Sequence, residues 1–76
     1  MSRARRHFPP IWVIYDHPRD FPGHFVVRIA WGLDMAPLAQ LAPTLEAARR
    51  LAIENGASFC LGRHPTDDPC IAECWI

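Results

Sequence analysis

The chain alternates short apolar runs with clusters of proline, glycine and acidic residues, and the apolar period changes along it. Residues 11–15, IWVIY, are β-branched or aromatic throughout, which predicts a strand apolar on both faces. Residues 16–23 contain Pro18, Pro22 and Gly23, which break that strand and predict a loop. Residues 24–31 alternate strictly: Phe25, Val27, Ile29 and Trp31 fall on one side, Val26, Arg28 and Ala30 on the other. Successive side chains of a strand point to opposite faces, so the first set is a core stripe, and the two strands form a hairpin. From Thr44 the period lengthens. Leu45, Ala48, Leu51, Ala52 and Asn55 recur at helical spacing, with Thr44 placed to cap the start and Gly56 to stop the end. Glu46 and Arg50 make an i,i+4 pair on the outer helix face. Residues 57–63 and 70–76 read as two more strands, joined by HPTDDP, a second proline-stiffened loop. Residues 32–43 hold Asp34, Pro37 and Pro43 and show no period, so they are read as irregular.

The predicted order is β-β-α-β-β. An α+β fold follows, with a four-stranded antiparallel sheet and one helix packed on one face. Residues 1–10 read as a basic flexible tail, closed by Pro9 and Pro10, and residues 11–76 as a single domain. A 76-residue chain buries only about 60% of the surface that its unfolded form exposes, so the core is thin. Half the residues are hydrophobic, which argues against disorder. No apolar run has membrane-spanning length and no segment reads as a signal peptide, which predicts a cytoplasmic protein. One helix leaves the second sheet face partly uncovered. Three Trp, one Tyr and four Phe are enough to populate both faces. Aromatic surface is therefore expected to be available to a partner, or to a second copy of the chain in a homodimer.

Charge narrows the partner. Eight Arg balance eight Asp plus Glu, and Lys is absent. Arginine favours planar, bidentate contacts with carboxylates and phosphates. A neutral total speaks against non-specific nucleic-acid binding, which needs a basic field. The alternative reading is a small nucleic-acid-binding or regulatory protein that uses Arg3, Arg5, Arg6 and His7 of the tail, with Arg19, Arg49 and Arg50 as further phosphate contacts.

Candidate chemistry adds little. Cys60, His64, Cys70 and Cys74 give C-x3-H-x5-C-x3-C, which resembles a zinc list. However, two cysteines four apart on one strand have Cα atoms about 13 Å apart, too far to share an ion that needs Zn–S bonds of about 2.3 Å. Reduced, buried thiols are expected, although a last hairpin centred on Asp67 would let Cys60 and Cys74 face each other and bridge. Asp16, His17, Asp20 and His24 surround one loop, but no nucleophile elbow, phosphate-binding glycine loop or HExxH accompanies them. The reading is a non-enzymatic protein with no cofactor and no metal. The charged residues Asp16, Arg19, Asp20, Arg28, Arg63, Asp67, Asp68 and Glu73 are expected to reach a partner, with Trp12 or Trp75 as apolar anchors. Arg28 and Glu73 are also read as a cross-strand ion pair.

Three segments carry a resemblance: WVIYDHPRDFPGHFVVR, TLEAARRLAIENGA and LGRHPTDDPCIAECWI. Together they resemble a pattern of small proteins from bacterial prophages and other mobile elements: an IY-x-x-P-x-D-(F/Y)-P opening, an FVVR strand, a TLEEAR-type helix and a closing R-x-x-x-D-D-P-x-I-x-E-x-W. The pattern spans about residues 11–75. The resemblance implies a protein of phage setting in a bacterial cytoplasm. It further implies the anti-CRISPR type of inhibitor, which docks on a type I CRISPR-Cas surveillance complex (Cascade) and blocks target DNA binding without chemistry.

Overall fold

The computed structural model describes residues 9–32, 34–36, 39–64 and 68–76, and structural statements concern these. Strands β1 (Ile11–Asp16) and β2 (Phe25–Trp31) form the expected antiparallel hairpin, with Trp12 opposite Ile29 and Ile14 opposite Val27. After Gly32 the chain turns back along β2 as β3 (Asp34–Met35) and then β4 (Gln40–Ala42). Helix α1 (Leu45–Glu54) follows, then β5 (Cys60–Gly62) and β6 (Ile71–Trp75). The sheet runs β3-β2-β1-β6-β5, and β4 also pairs with β2.

The α+β class, the single helix and the antiparallel sheet agree with the sequence reading. The strand count does not: the sheet has six strands among the described residues, not four. The extra two come from the segment read as irregular. β3 pairs with Ala30 and Trp31, and β4 pairs with Phe25 to Val27, so the two make one interrupted edge strand along β2. Only a few residues of each touch the ladder, too few for an alternating pattern to register. Their conformation comes from the unpaired edge of β2, not from local propensity.

Helix α1 starts where the sequence places it. Thr44 is extended, and its hydroxyl accepts the Ala47 N–H at 3.1 Å. Its carbonyl accepts the Ala48 N–H at 3.0 Å. The helix ends at Gly56, whose φ of +114° suits glycine and few other residues. Ala48 and Ala52 are fully buried, so the helix lies close against the sheet on small side chains. Beneath them sit Trp12, Ile14, Val27, Ala42 and Ala57, flanked by Phe25, Ile29, Leu45, Leu51 and Trp75. The predicted stripe Phe25-Val27-Ile29 is thus the core side of β2. Val13 and Val26 are buried on the opposite side of the sheet, so that side is not bare either.

Between β1 and β6 the register shifts. Ile14 lies opposite Glu73, but Tyr15 lies opposite Ile71, leaving Ala72 as an extra residue in β6. Such a bulge re-aims the side chains around it. Here it lets Ile71 lie opposite Tyr15 on the outer side, while Glu73, opposite Ile14, stays on the helix side. No helix among the described residues is long and apolar enough to cross a membrane.

Candidate functional site

The stretch between β1 and β2 is a closed, stiff loop. The His17 N–H donates to the His24 carbonyl at 3.0 Å, which pins the loop across its base. Within it the Phe21 N–H donates to Pro18 O at 3.0 Å, and the His24 N–H donates to Phe21 O at 3.2 Å. His17 has φ +48°, in the left-handed region that histidine enters more readily than branched residues. Its ring meets Phe25 edge-on at 5.0 Å between centroids, and its Nδ1 is hydrogen-bonded to the Asp16 carboxylate. Pro18 is buried.

This loop delivers Asp20 to Arg28. The Arg28 Nη2 donates to Asp20 Oδ2 at 2.9 Å. Arg28 stands on the sheet face turned away from the helix, diagonal to Tyr15 across the hairpin. The second loop closes on the same region. The Asp68 carboxylate accepts the Cys70 N–H at 2.8 Å, its carbonyl accepts the Ile71 N–H at 2.8 Å, and Asp16 N–H donates to Cys70 O at 2.6 Å. Arg63 Nε donates at 3.1 Å to the carbonyl of Ile71, the residue opposite Tyr15. Tyr15 sits among these charges. Burial pushes its phenol above the ordinary tyrosine range, Arg28 pulls it back, and Asp68, Cys74 and Asp20 push it up again. Asp20, Arg28 and Asp68 therefore act on one tyrosine, although they are far apart in sequence.

Of the residues the sequence singled out, Asp20, Arg28, Arg63 and Asp68 gather at this end of the sheet, and Asp16 stands at the same end but opposite Phe25, on the helix side of β1. Arg19 is exposed on the same loop. Asp67 lies outside the described residues, as does the basic tail through residue 8. Tyr15 was missed, because an aromatic in an apolar run reads as core. Three expectations need correction. Glu73 does not pair with Arg28, because it lies opposite Ile14 on the helix side of the sheet, while Arg28 is on the other side. On the helix side Glu73 is 7% exposed, and its carboxylate receives Arg49 Nε at 2.6 Å, Arg49 Nη2 at 3.1 Å and Trp75 Nε1 at 3.0 Å. Arg49, read from the sequence as a phosphate contact, is engaged with Glu73, with its side chain about half exposed. Trp12 is 6% exposed under the helix, which removes it as a surface anchor, and Trp75 is half-buried against the same core.

Arg49, Glu73 and Trp75 form a part-buried network in their own right. The bonds from Arg49 hold the Glu73 carboxyl below the usual carboxylate range. Burial opposes them, and the bonds from Trp75 and the Cys60 thiol add to them. This network ties the middle of α1 to the β5–β6 end of the sheet.

None of the three cysteines is in a disulfide. Cys60 lies opposite Trp75, and Cys74 lies opposite Gly62. Cys60 therefore shares the helix side with Trp75 while Cys74 stands on the other, so the Cys60–Cys74 bridge allowed by the sequence is excluded by register. Among the described residues no group of three His, Cys, Asp or Glu side chains could hold a metal ion. Large apolar side chains stand exposed at Met35, Leu41, Ile53, Phe59, Leu61 and Ile76. Comparison with protein-family models, curated proteins and solved structures returned no match to this chain.

Proposed function

We propose that this protein is a non-catalytic binding protein that docks on another protein through the charged end of its outer sheet face. The observation that carries this reading is the convergence of Asp20, Arg28 and Asp68 around Tyr15, on two hydrogen-bonded loops. A guanidinium paired with one carboxylate, beside a half-buried phenol, offers a partner donors, acceptors and an aromatic edge in one place. The stiff loop lowers the ordering cost of binding. Aromatic and arginine groups at such positions contribute most to protein interfaces. In line with the prophage-type sequence pattern, the partner is a subunit of a type I CRISPR surveillance complex, and binding blocks target DNA access. The choice of partner rests on that pattern, the docking mode on the geometry.

The test is capture of a purified type I surveillance complex by the tagged protein, compared with an Arg19→Glu, Asp20→Arg variant. Both side chains are exposed, so the fold should survive. Stoichiometric capture by the wild type, lost in the variant, supports the reading. Equal capture by both moves the interface elsewhere, and no capture by either sinks the CRISPR assignment. Salt-sensitive DNA binding lost on deleting residues 1–7 would instead favour a nucleic-acid role.

A further inference from the structure

The end of α1 holds the one asparagine of the chain, Asn55, and the residue after it is Gly56. That pair is chemically reactive. Glycine has no Cβ to crowd its nitrogen, so the nitrogen can attack the side-chain amide of the residue before it. Both Asn55 and Gly56 are exposed to water.

The fold holds the reacting groups apart. Asn55 Nδ2 donates to the Leu51 carbonyl at 2.6 Å and to Gln40 Oε1 at 3.0 Å. The Gly56 N–H donates to the Ile53 carbonyl at 3.0 Å. The five-membered ring of the attack needs Cβ of Asn55 eclipsed with the Gly56 nitrogen. Asn55 has ψ 0°, which eclipses its own nitrogen instead and leaves Cβ a third of a turn away. Reaction therefore waits for the last turn of α1 to open, and element ends open most readily.

We propose that Asn55 is a self-modification site, deamidated by the nitrogen of Gly56 at a rate set by the opening of that turn. The Gly56 nitrogen bonds to Asn55 Cγ and the Cγ–Nδ2 bond breaks. The proton of the attacking nitrogen leaves with the amide group as ammonia, and a succinimide remains. Water then opens the ring at either carbonyl, which puts aspartate or isoaspartate at position 55. The step needs water alone as co-reactant. Its product carboxylate cannot donate to Leu51 or Gln40, so the tie between α1 and β4 is lost. It adds a negative charge to a chain of zero formal charge, at the helix end where negative charge is unfavourable. Isoaspartate also lengthens the main chain by one carbon directly before Gly56, whose Cβ position faces the Trp12 ring.

The hydrogen bonds set the rate. One ordinary bond shifts an equilibrium by about fivefold, so the two from Asn55 and the one from Gly56 slow the folded protein about a hundredfold.

Mass spectrometry of the full chain tests this, in mildly alkaline buffer with and without urea. Each event raises the mass by nearly one unit, and peptide mapping locates it. Wild type in urea should react at position 55, and folded wild type about a hundredfold more slowly. Gln40→Ala, on an exposed edge position, removes one bond and should speed the folded reaction about two- to tenfold while leaving the rate in urea unchanged. Circular dichroism checks that this variant is folded. Asn55→Asp, which carries the product charge, should melt below the wild type. Equal rates in folded and unfolded wild type overturn the gating, as does a folded Gln40→Ala that reacts no faster. A mass gain that maps elsewhere, or none in urea, overturns the site. An Asn55→Asp chain as stable as the wild type overturns the loosening of the helix end.

Discussion

Replacing Glu73 by Gln keeps the side-chain shape and removes one charge from the interface of helix and sheet. The carboxylate accepts two hydrogen bonds from Arg49 and one from Trp75, and the Cys60 thiol adds another. Glutamine keeps one acceptor oxygen and sets an amide NH2 where the other oxygen stood, so a donor then faces a donor. Charge-assisted bonds contribute about 1.5–3 kcal/mol each when lost from a buried site. Two effects reduce the net cost: the neutral side chain is cheaper to bury, and water screens the half-exposed guanidinium. The expected loss is about 2 kcal/mol. A chain of this length has a total stability of roughly 4–11 kcal/mol, so the melting temperature should fall by roughly 8–16 °C. Urea denaturation gives the free energy directly. The pH dependence carries the sharper test. The Glu73 pKa is lowered in the folded state. Its stabilising contribution is therefore fully present above the unfolded-state pKa and is lost as pH falls through the folded one. The gap between wild type and Glu73→Gln should be full at neutral pH and close in acid, below the ordinary glutamate range. A gap under about 0.5 kcal/mol at neutral pH, within the ordinary effect of surface changes, or one that does not close in acid, would refute the account.

Other consequences can be checked in the same way. Ala48→Leu puts three extra carbons into the closest approach of helix and sheet; it should cost about 1–3 kcal/mol or more, read by thermal melting. Gly56→Ala should lose about 1 kcal/mol, because φ is +114° there while an added Cβ would meet the Trp12 ring only at 3.7 Å; backbone strain and not collision is the cause. The Tyr15 phenol, followed by ultraviolet titration, should ionise above the ordinary tyrosine range. Arg28→Gln should move it further up and Asp68→Asn should move it down. A phenol indifferent to both changes would mean that the two loops do not converge on it.

Much of the frame was legible in the residues. The Phe25-Val27-Ile29 alternation and the Thr44 to Gly56 helix rest on local rules: a strand points alternate side chains to opposite faces, and a helix needs a cap and a stop. The stiff loop was legible for the same reason, since Pro18, Pro22 and Gly23 constrain their own dihedrals. These are properties of neighbours along the chain.

What the tertiary structure alone decided depends on register. β3 and β4 exist because β2 offers an unpaired edge, and nothing in Asp34-Met35 or Gln40-Ala42 announces it. Pairing with Ile14 puts Glu73 on the helix side, where it meets Arg49 rather than Arg28, whose partner is Asp20. Pairing of Cys60 with Trp75 puts Cys60 and Cys74 on opposite sides of the sheet. Because side chains alternate with period two, a slip of one residue exchanges inside for outside. The sequence by itself thus determined which segments become strand, helix or turn, since those preferences are local. Which charges meet, which tryptophan is covered and which edge stays open were decided by strand pairing, where distant parts of the chain choose each other.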